Sequence, residues 1–307
     1  MLTNELRYFL AVATSGSLST ASEQLYVAGS AISRQIQKLE TRLGVTLFER
    51  HARGMILTDA GQILANHVRK SMRDMEYALA EIQGLKAVRK TLVRIACTDG
   101  MAFDLLPGLL ARFRQHYPGV SFDLQVGSAI QVAEWIRRSE CDVAFQFSLA
   151  PEKEVEIIAA WPAPVLLLLD SVHPLVQQSG VAIDDLHPYP LVLPEAGTTI
   201  RQLFDLSCRM AGTFLEPAFS SNNFSALYEF TRHTPQAITV CSHFSVLWRA
   251  RLDAMTLKPM TNTSLSQRTL QIQAPGSKHR PAAVSAFLAM AEHILGEEHG
   301  KWMQDLG

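Results

Sequence analysis

What the chain lacks narrows it first. Its four cysteines, Cys97, Cys141, Cys208 and Cys241, are widely spaced and form no C-x-x-C pair. That spacing argues against a disulfide scaffold and a thiolate zinc site, and fits a reducing compartment. No nucleophile elbow, H-E-x-x-H, P-loop or dinucleotide fingerprint occurs, so no reaction is indicated and neither a cofactor nor a metal is expected. The densest apolar run, Val165 to Leu169, is far too short to cross a bilayer and reads as a buried strand. Met1 to Glu5 lacks the basic-then-apolar order of a signal peptide, so a cytoplasmic protein with no membrane partner is expected. Internal repeats and low-complexity tracts are missing as well.

What remains is a chain of 307 residues, 48% hydrophobic and 19% charged, sized for two or three packed units. The net charge of −1 hides an asymmetry: residues 1–90 hold 12 Lys/Arg against 8 Asp/Glu, the remainder 16 against 21. A basic head on an acidic body suits a phosphate-contacting module joined to something else.

Periodicity resolves the head. Leu6, Phe9, Leu10 and Ala13 share one helical face over residues 5–14; Ser17 caps a second helix over 18–25, burying Leu18, Ala21 and Leu25. A turn over 26–29 leads to a third helix running to about Arg42, stopped by Gly44, with Ser30 or Gly29 expected to serve at its start. Its apolar stripe is Ile32, Ile36, Leu39 and Leu43, and Ser30, Ser33, Arg34, Gln37 and Thr41 fall on the opposite face. Arg34 and Gln37 can reach base edges or phosphates, while Ser30, Ala31 and Ser33 are small enough for close approach to a major groove. A solvated helix face is the alternative for that helix alone. Two short apolar segments around a basic turn follow, over 45–50 and 55–58, reading as a small wing that places Arg50 and Arg53 against backbone phosphates.

Ser17-Leu18, Ala21, Leu25, Ser33, Gln35-Ile36, Leu39-Glu40, Leu43-Gly44, Leu47-Phe48, Arg50, Arg53, Leu57-Thr58 and Ala60-Gly61, in this spacing, resemble the LysR-type transcriptional regulator family. Where that family has Ser-Gln-Pro before the recognition helix, this chain has Ala28-Gly29-Ser30. The resemblance implies an α/β protein in three parts: a winged helix-turn-helix over 1–58, a linker and dimerisation helix over 59–90, and an effector-binding domain over 91–307. It further implies a two-lobed domain, lobe one over about 91–162 and 268–307, lobe two over about 163–267. Double-stranded promoter DNA, a small-molecule effector and self-association to a dimer or tetramer are the implied partners, with RNA polymerase added for an activator.

Asp59 to about Leu85 reads as one long helix, on which Val68, Met72, Met75, Leu79 and Ile82 alternate at four and three residues as a pairing seam. Packing of the seam on the chain's own body is the alternative. After Lys90, strands and helices alternate, predicting a mostly parallel sheet with covered faces. Ligands of such sheets bind beyond the carboxyl ends of the strands. Four segments fit: Thr98-Asp99-Gly100-Met101; Ser128-Ala129 at a helix N-terminus; Gln146-Phe147 at the end of a strand; and Thr198-Thr199 with Arg201, opening a helix in lobe two. Two helix N-termini offering N–H groups to one cleft point to a small anionic effector. For each residue a plain alternative stands: Ser128, Thr198 and Thr199 as helix caps, Arg201 as a partner of Glu195 or Asp205. Rival readings are a redox-sensing regulator using Cys97 and Cys208, and a solute-binding protein, which the DNA-reading head opposes.

Overall fold

A computed structural model describes residues 3–51, 54–84, 91–150, 155–276 and 280–305. The chain divides into two compact units, Met1–Arg89 with Arg138–Glu140, and Lys90–Arg137 with Cys141–Gly307.

In the first unit, α1 (Asn4–Ser15) ends where Gly16 turns left-handed at φ 66°. Helix α2 (Leu18–Leu25) is opened by Ser17, whose side chain accepts the Thr20 N–H at 3.4 Å. Helix α3 (Gly29–Leu43) starts differently from expectation. Ala28 stands at the N-cap, and no side chain caps the helix, so neither Gly29 nor Ser30 supplies one. Phe9, Val12, Ala21, Ile32, Ile36 and Leu39 build the core with Leu47 and Phe48. Leu43, expected on that stripe, is 46% exposed because the helix outruns the core before Gly44 stops it. Glu5 ties the foot of α1 to α3 through Arg42 at 2.9 Å and Lys38 at 3.4 Å.

The wing is an antiparallel pair, β1 (Phe48–His51) and β2 (Gly54–Leu57). It docks on α1 through the Met55 N–H, which donates to the Gly16 carbonyl at 2.8 Å. Helix α4 (Asp59–Gly84) follows, opened by Thr58, whose hydroxyl accepts the Gly61 N–H at 3.0 Å. On its seam Met75 and Leu79 are about half exposed, but Val68 is buried within the chain and cannot serve as a free pairing position. The Ile82 side chain lies outside the described residues.

The second unit has two five-stranded sheets. Lobe one takes β3 (Thr91–Thr98), α5 (Asp99–Ala102), α6 (Leu105–His116), β4 (Val120–Gly127), α7 (Ala129–Arg137), β5 (Val143–Ser148) and β6 (Val155–Pro162). Lobe two takes β7 (Leu166–Asp170), β8 (Leu191–Pro194), α8 (Thr199–Ala211), β9 (Phe219–Ser221), α9 (Phe224–His233), β10 (Ile238–Cys241), α10 (Arg249–Leu252) and β11 (Met255–Pro259). The chain then returns to lobe one as β12 (Thr269–Pro275) and α11 (Ala282–Asp305).

The strand orders are β4-β3-β5-β12-β6 and β11-β7-β10-β8-β9. Each sheet is mostly parallel, as the sequence suggests: four of its five strands run one way and a single strand, β12 in lobe one and β7 in lobe two, runs against them. In lobe one β3 pairs parallel with β4 and β5, whereas β12 runs antiparallel to β5 and β6. Lobe two repeats this, with β8 parallel to β9 and β10, and β7 antiparallel to β10 and β11. The two reversed strands are the ones that follow a crossing between lobes. A strand arriving from the other lobe is not held to the helix-linked right-handed crossover that makes neighbours parallel. The two crossover segments are joined to each other. The Ala163 N–H donates to the Arg268 carbonyl at 2.8 Å, and the Val165 N–H to the Leu265 carbonyl at 2.9 Å.

Gln236, just before β10, takes a left-handed φ of 58°, and its carbonyl faces His173 Nε2 at 3.2 Å. No described helix is long and apolar enough to cross a membrane.

Candidate functional site

Two surfaces gather the residues singled out above. On the head, the outer face of α3 presents Ser30, Arg34 and Gln37 exposed, with Ala31 and Ser33 half-buried beside them. Arg34 Nε donates to the Ser30 carbonyl at 3.3 Å, laying the side chain back along its own helix. Arg50 reaches from β1 to donate to the Ser33 hydroxyl at 3.3 Å, so the wing and α3 meet on one polar face. Arg53 lies outside the described residues. Tyr26, in the turn between α2 and α3, carries no periodic signal and is 97% exposed with φ 54°.

In the body, a cavity of about 650 Å³ opens between the lobes. Lobe one contributes Thr98, Asp99 and Gly100 from the end of β3, and Ser128 and Ala129 from the start of α7. Lobe two contributes Thr198 and Thr199 from the start of α8, and Phe147 and Arg268 also line the wall. Three expected residues sit elsewhere. Met101 is fully buried in the lobe-one core, because the short helix α5 turns it inward. Gln146 lies on the opposite sheet face from Phe147, as strand alternation requires, and donates to Gln273 Oε1 at 2.9 Å. Arg201 turns along its own helix, pairing with Asp205 at 2.7 Å and donating to the Pro194 carbonyl at 3.1 Å.

The helix N-termini are partly occupied. Ser128 and Gln131 cap each other reciprocally: Ser128 Oγ accepts the Gln131 N–H at 3.3 Å, and Gln131 Oε1 accepts the Ser128 N–H at 2.9 Å. Thr198 accepts the Arg201 N–H at 3.3 Å and donates to the Glu195 carbonyl at 3.1 Å. Asp99 crosses the cleft and accepts the Phe224 N–H at the start of α9. Burial raises the Asp99 carboxyl above its ordinary range, opposed by that hydrogen bond.

Arg268 escapes the sequence reading altogether. It follows a polar stretch, and only the tertiary fold buries it. Its side chain is 2% exposed, Nε donates to the Ala163 carbonyl at 3.0 Å, and the guanidinium lies 4.1 Å from the Phe147 ring centroid. Nη2 is buried without a hydrogen-bond partner, as is Thr98 Oγ1. Burial lowers the guanidinium pKa to about 9.

None of the four cysteines forms a disulfide, and all are buried. Burial pushes the Cys97 thiol up to about 12 and Cys208 up to about 11, each helped by a neighbouring aspartate. A thiol must ionise to react with an oxidant, so these two are poorly placed as redox sensors.

Residues 3–62 match the bacterial regulatory helix-turn-helix protein family of lysR type, and residues 86–295 match the LysR substrate binding domain. The HTH-type transcriptional activator CmpR of Synechocystis is 30% identical over 201 residues, 64% of this chain and 65% of that protein, just under two thirds of its length. The transcriptional dual regulator GltC of Bacillus subtilis is 34% identical over 210 residues, 68% of this chain and 70% of the relative. Among solved structures, full-length OxyR from Pseudomonas aeruginosa superposes with a TM-score of 0.69 at 19% identity, over 95% of each chain.

Proposed function

The chain belongs to the LysR family of transcriptional regulators, DNA-binding proteins rather than enzymes, and from that premise we propose how its two surfaces divide the work. The outer face of α3 reads double-stranded promoter DNA, with residues 1–58 as the reading domain. Residues 59–90 pair two heads through the exposed Met75 and Leu79, giving a dimer that a tetramer extends. Residues 91–307 bind a small anionic effector between the lobes. The observation that carries the effector reading is the 650 Å³ cavity walled by both lobes, a volume within the range of small-molecule sites. An occupant touching both walls favours one lobe arrangement. It shifts DNA binding by the difference in its affinity for the two arrangements, typically about 1–3 kcal/mol. The setting is the cytoplasm, and an activator would also meet RNA polymerase.

On the head, Arg34→Ala is expected to cost about 1–3 kcal/mol on the operator and little on random duplex. Arg50→Ala is expected to weaken both alike and to flatten the salt dependence by about one unit. Affinities for the two duplexes over a salt series decide this. An equal loss on both for Arg34→Ala removes it from the base-reading set.

For the cavity, a thermal-stability screen of small organic anions on the full chain tests the reading. A ligand at about 100 times its dissociation constant adds about 2.7 kcal/mol. Thr199→Trp, which fills the lobe-two wall, is expected to abolish that stabilisation and the accompanying change in operator affinity. Stabilisation that survives in Thr199→Trp refutes the inter-lobe site.

A further inference from the structure

Arg268 is the largest side chain buried almost completely among the described residues. A buried cation normally has a carboxylate beside it, since desolvating the charge is costly. Here burial lowers the Arg268 pKa, and the group that opposes this, Cys241, is a thiol that burial keeps protonated and neutral. The bond from Nε to the Ala163 carbonyl satisfies one donor, the Phe147 ring covers one face of the guanidinium, and Nη2 is left with nothing. Arg268 lines the cavity, so an uncompensated positive charge borders the space an effector would fill, on a guanidinium whose Nη2 donor is unused.

Resting on the effector reading above, we infer that the occupant is a singly charged carboxylate on an apolar body, its carboxylate pairing with Arg268. The charge count comes from the rest of the wall. Apart from Arg268, the charged side chains lining the cavity among the described residues are Asp99 and Glu195, both acidic, so a second negative charge on the ligand meets repulsion rather than a partner. A planar guanidinium edge matches a planar carboxylate, and the orphaned Thr98 hydroxyl supplies another hydrogen-bonding group on the same wall. The apolar body follows from Phe147, Ile200, Phe224, Leu227 and Val240, which line the same cavity.

The position also explains how such a ligand would act. Arg268 belongs to one crossover between the lobes, and both its carbonyl and its Nε bond to Ala163 on the other. A carboxylate that neutralises Arg268 therefore acts at the join about which the lobes open and close.

The test uses the full-length protein and a panel of alkyl and aryl monocarboxylates from butyrate to naphthoate. Each acid is accompanied by its neutral amide, and phenyl phosphate and inorganic phosphate complete the set. Melting temperature and calorimetric titration are the readouts. Monocarboxylates are expected to raise the melting temperature, while amides and phosphates leave it unchanged. In Arg268→Met that response is expected to vanish, while the ligand-free protein melts about 2–4 °C higher, because an uncompensated buried charge has gone. Should that variant fail to fold, Arg268→Lys keeps the charge without the fork, and about tenfold weaker acid binding is expected.

Stabilisation by amides or phosphates in place of acids overturns the inference, as does an acid response that persists in Arg268→Met, or a panel in which no acid binds. If amides or phosphates stabilise the wild type and lose that effect in Thr199→Trp, the inter-lobe site stands and only the ligand class falls. If stabilising compounds of any class act equally on Thr199→Trp, the effector reading itself falls.

Discussion

Gly61→Ala is expected to destabilise the head by at least about 2 kcal/mol and to weaken its binding to operator and random duplex alike. Helix propensity alone predicts the opposite, since alanine inside a helix is worth about 1 kcal/mol more than glycine. The local geometry decides against it. A Cβ on Gly61 would stand 2.1 Å from the Leu47 carbonyl oxygen and 2.9 Å from a methyl of Leu57. That carbonyl is a backbone atom which already accepts the Thr58 N–H at 3.0 Å, so no side-chain rotation can relieve the contact. Moving it away separates α4 from the root of the wing and loses that hydrogen bond as well. Because β1 carries Arg50 toward α3, the loss in DNA affinity is expected to be independent of sequence. Thermal unfolding followed by circular dichroism, with affinities for two unrelated duplexes, measures both effects. Gly300→Ala in α11, with nothing within 4 Å of the added carbon, is the control and should gain up to about 1 kcal/mol. A Gly61→Ala head as stable as the wild type would show that the wing root yields without cost.

The contrast between the two units explains what could be read in advance. Helices α1 to α4 each carry an apolar stripe and a start or stop residue, and those signals are local, so their bounds follow from a few neighbouring positions. Ser17 and Gly44 act as their residue types suggest. Sheets are non-local, and β6, β9 and β11, which carry no clear strand signal, are all sheet edges. An edge strand such as Phe219–Ser221 is short and half-exposed, so it shows neither a buried run nor clean alternation. The reversal of β12 was invisible for the same reason: nothing local in Thr269–Pro275 reveals that it returns from another lobe.

The cavity was legible where it depends on loop position and illegible where it depends on side-chain direction. Thr98, Asp99, Gly100, Ser128, Thr198 and Thr199 end strands or begin helices, and the topology alone brings those ends together. Adjacent residues in a strand face opposite sides, so Phe147 lines the cavity while Gln146 joins a buried amide chain behind it. Arg201 lies one turn into α8, where Asp205 is the nearer partner. Arg268 had no pattern to announce it, because an arginine before a strand is ordinarily a surface charge. Its burial comes from Ala163 and Phe147, both more than a hundred residues earlier in the chain.

Acidification from pH 6.5 to pH 5 is expected to cost the body about 2 kcal/mol, chiefly through His243. That ring is buried, stacked on Trp302 at 4.0 Å and 5°, and packed beside Phe244. Its Nε2 lies 3.2 Å from His299 Nδ1, and its Nδ1 has no partner. Burial first, then His299, then Arg268 hold its pKa down to about 3. The unfolded chain takes up the proton near pH 6.5 while the folded one refuses it until about pH 3. The contribution is therefore intact above pH 6.5 and is lost as pH falls, at up to about 1.4 kcal/mol per pH unit. His173 and His299, also lowered by burial, push in the same direction. Asp99 opposes them, since its raised carboxyl binds a proton more readily folded than unfolded. Denaturant unfolding at a series of pH values gives the slope. His243→Phe, which keeps a flat ring between Phe244 and Trp302, is expected to remove most of it. A variant whose stability falls with acid as steeply as the wild type would transfer the effect to other groups and leave His243 as packing alone.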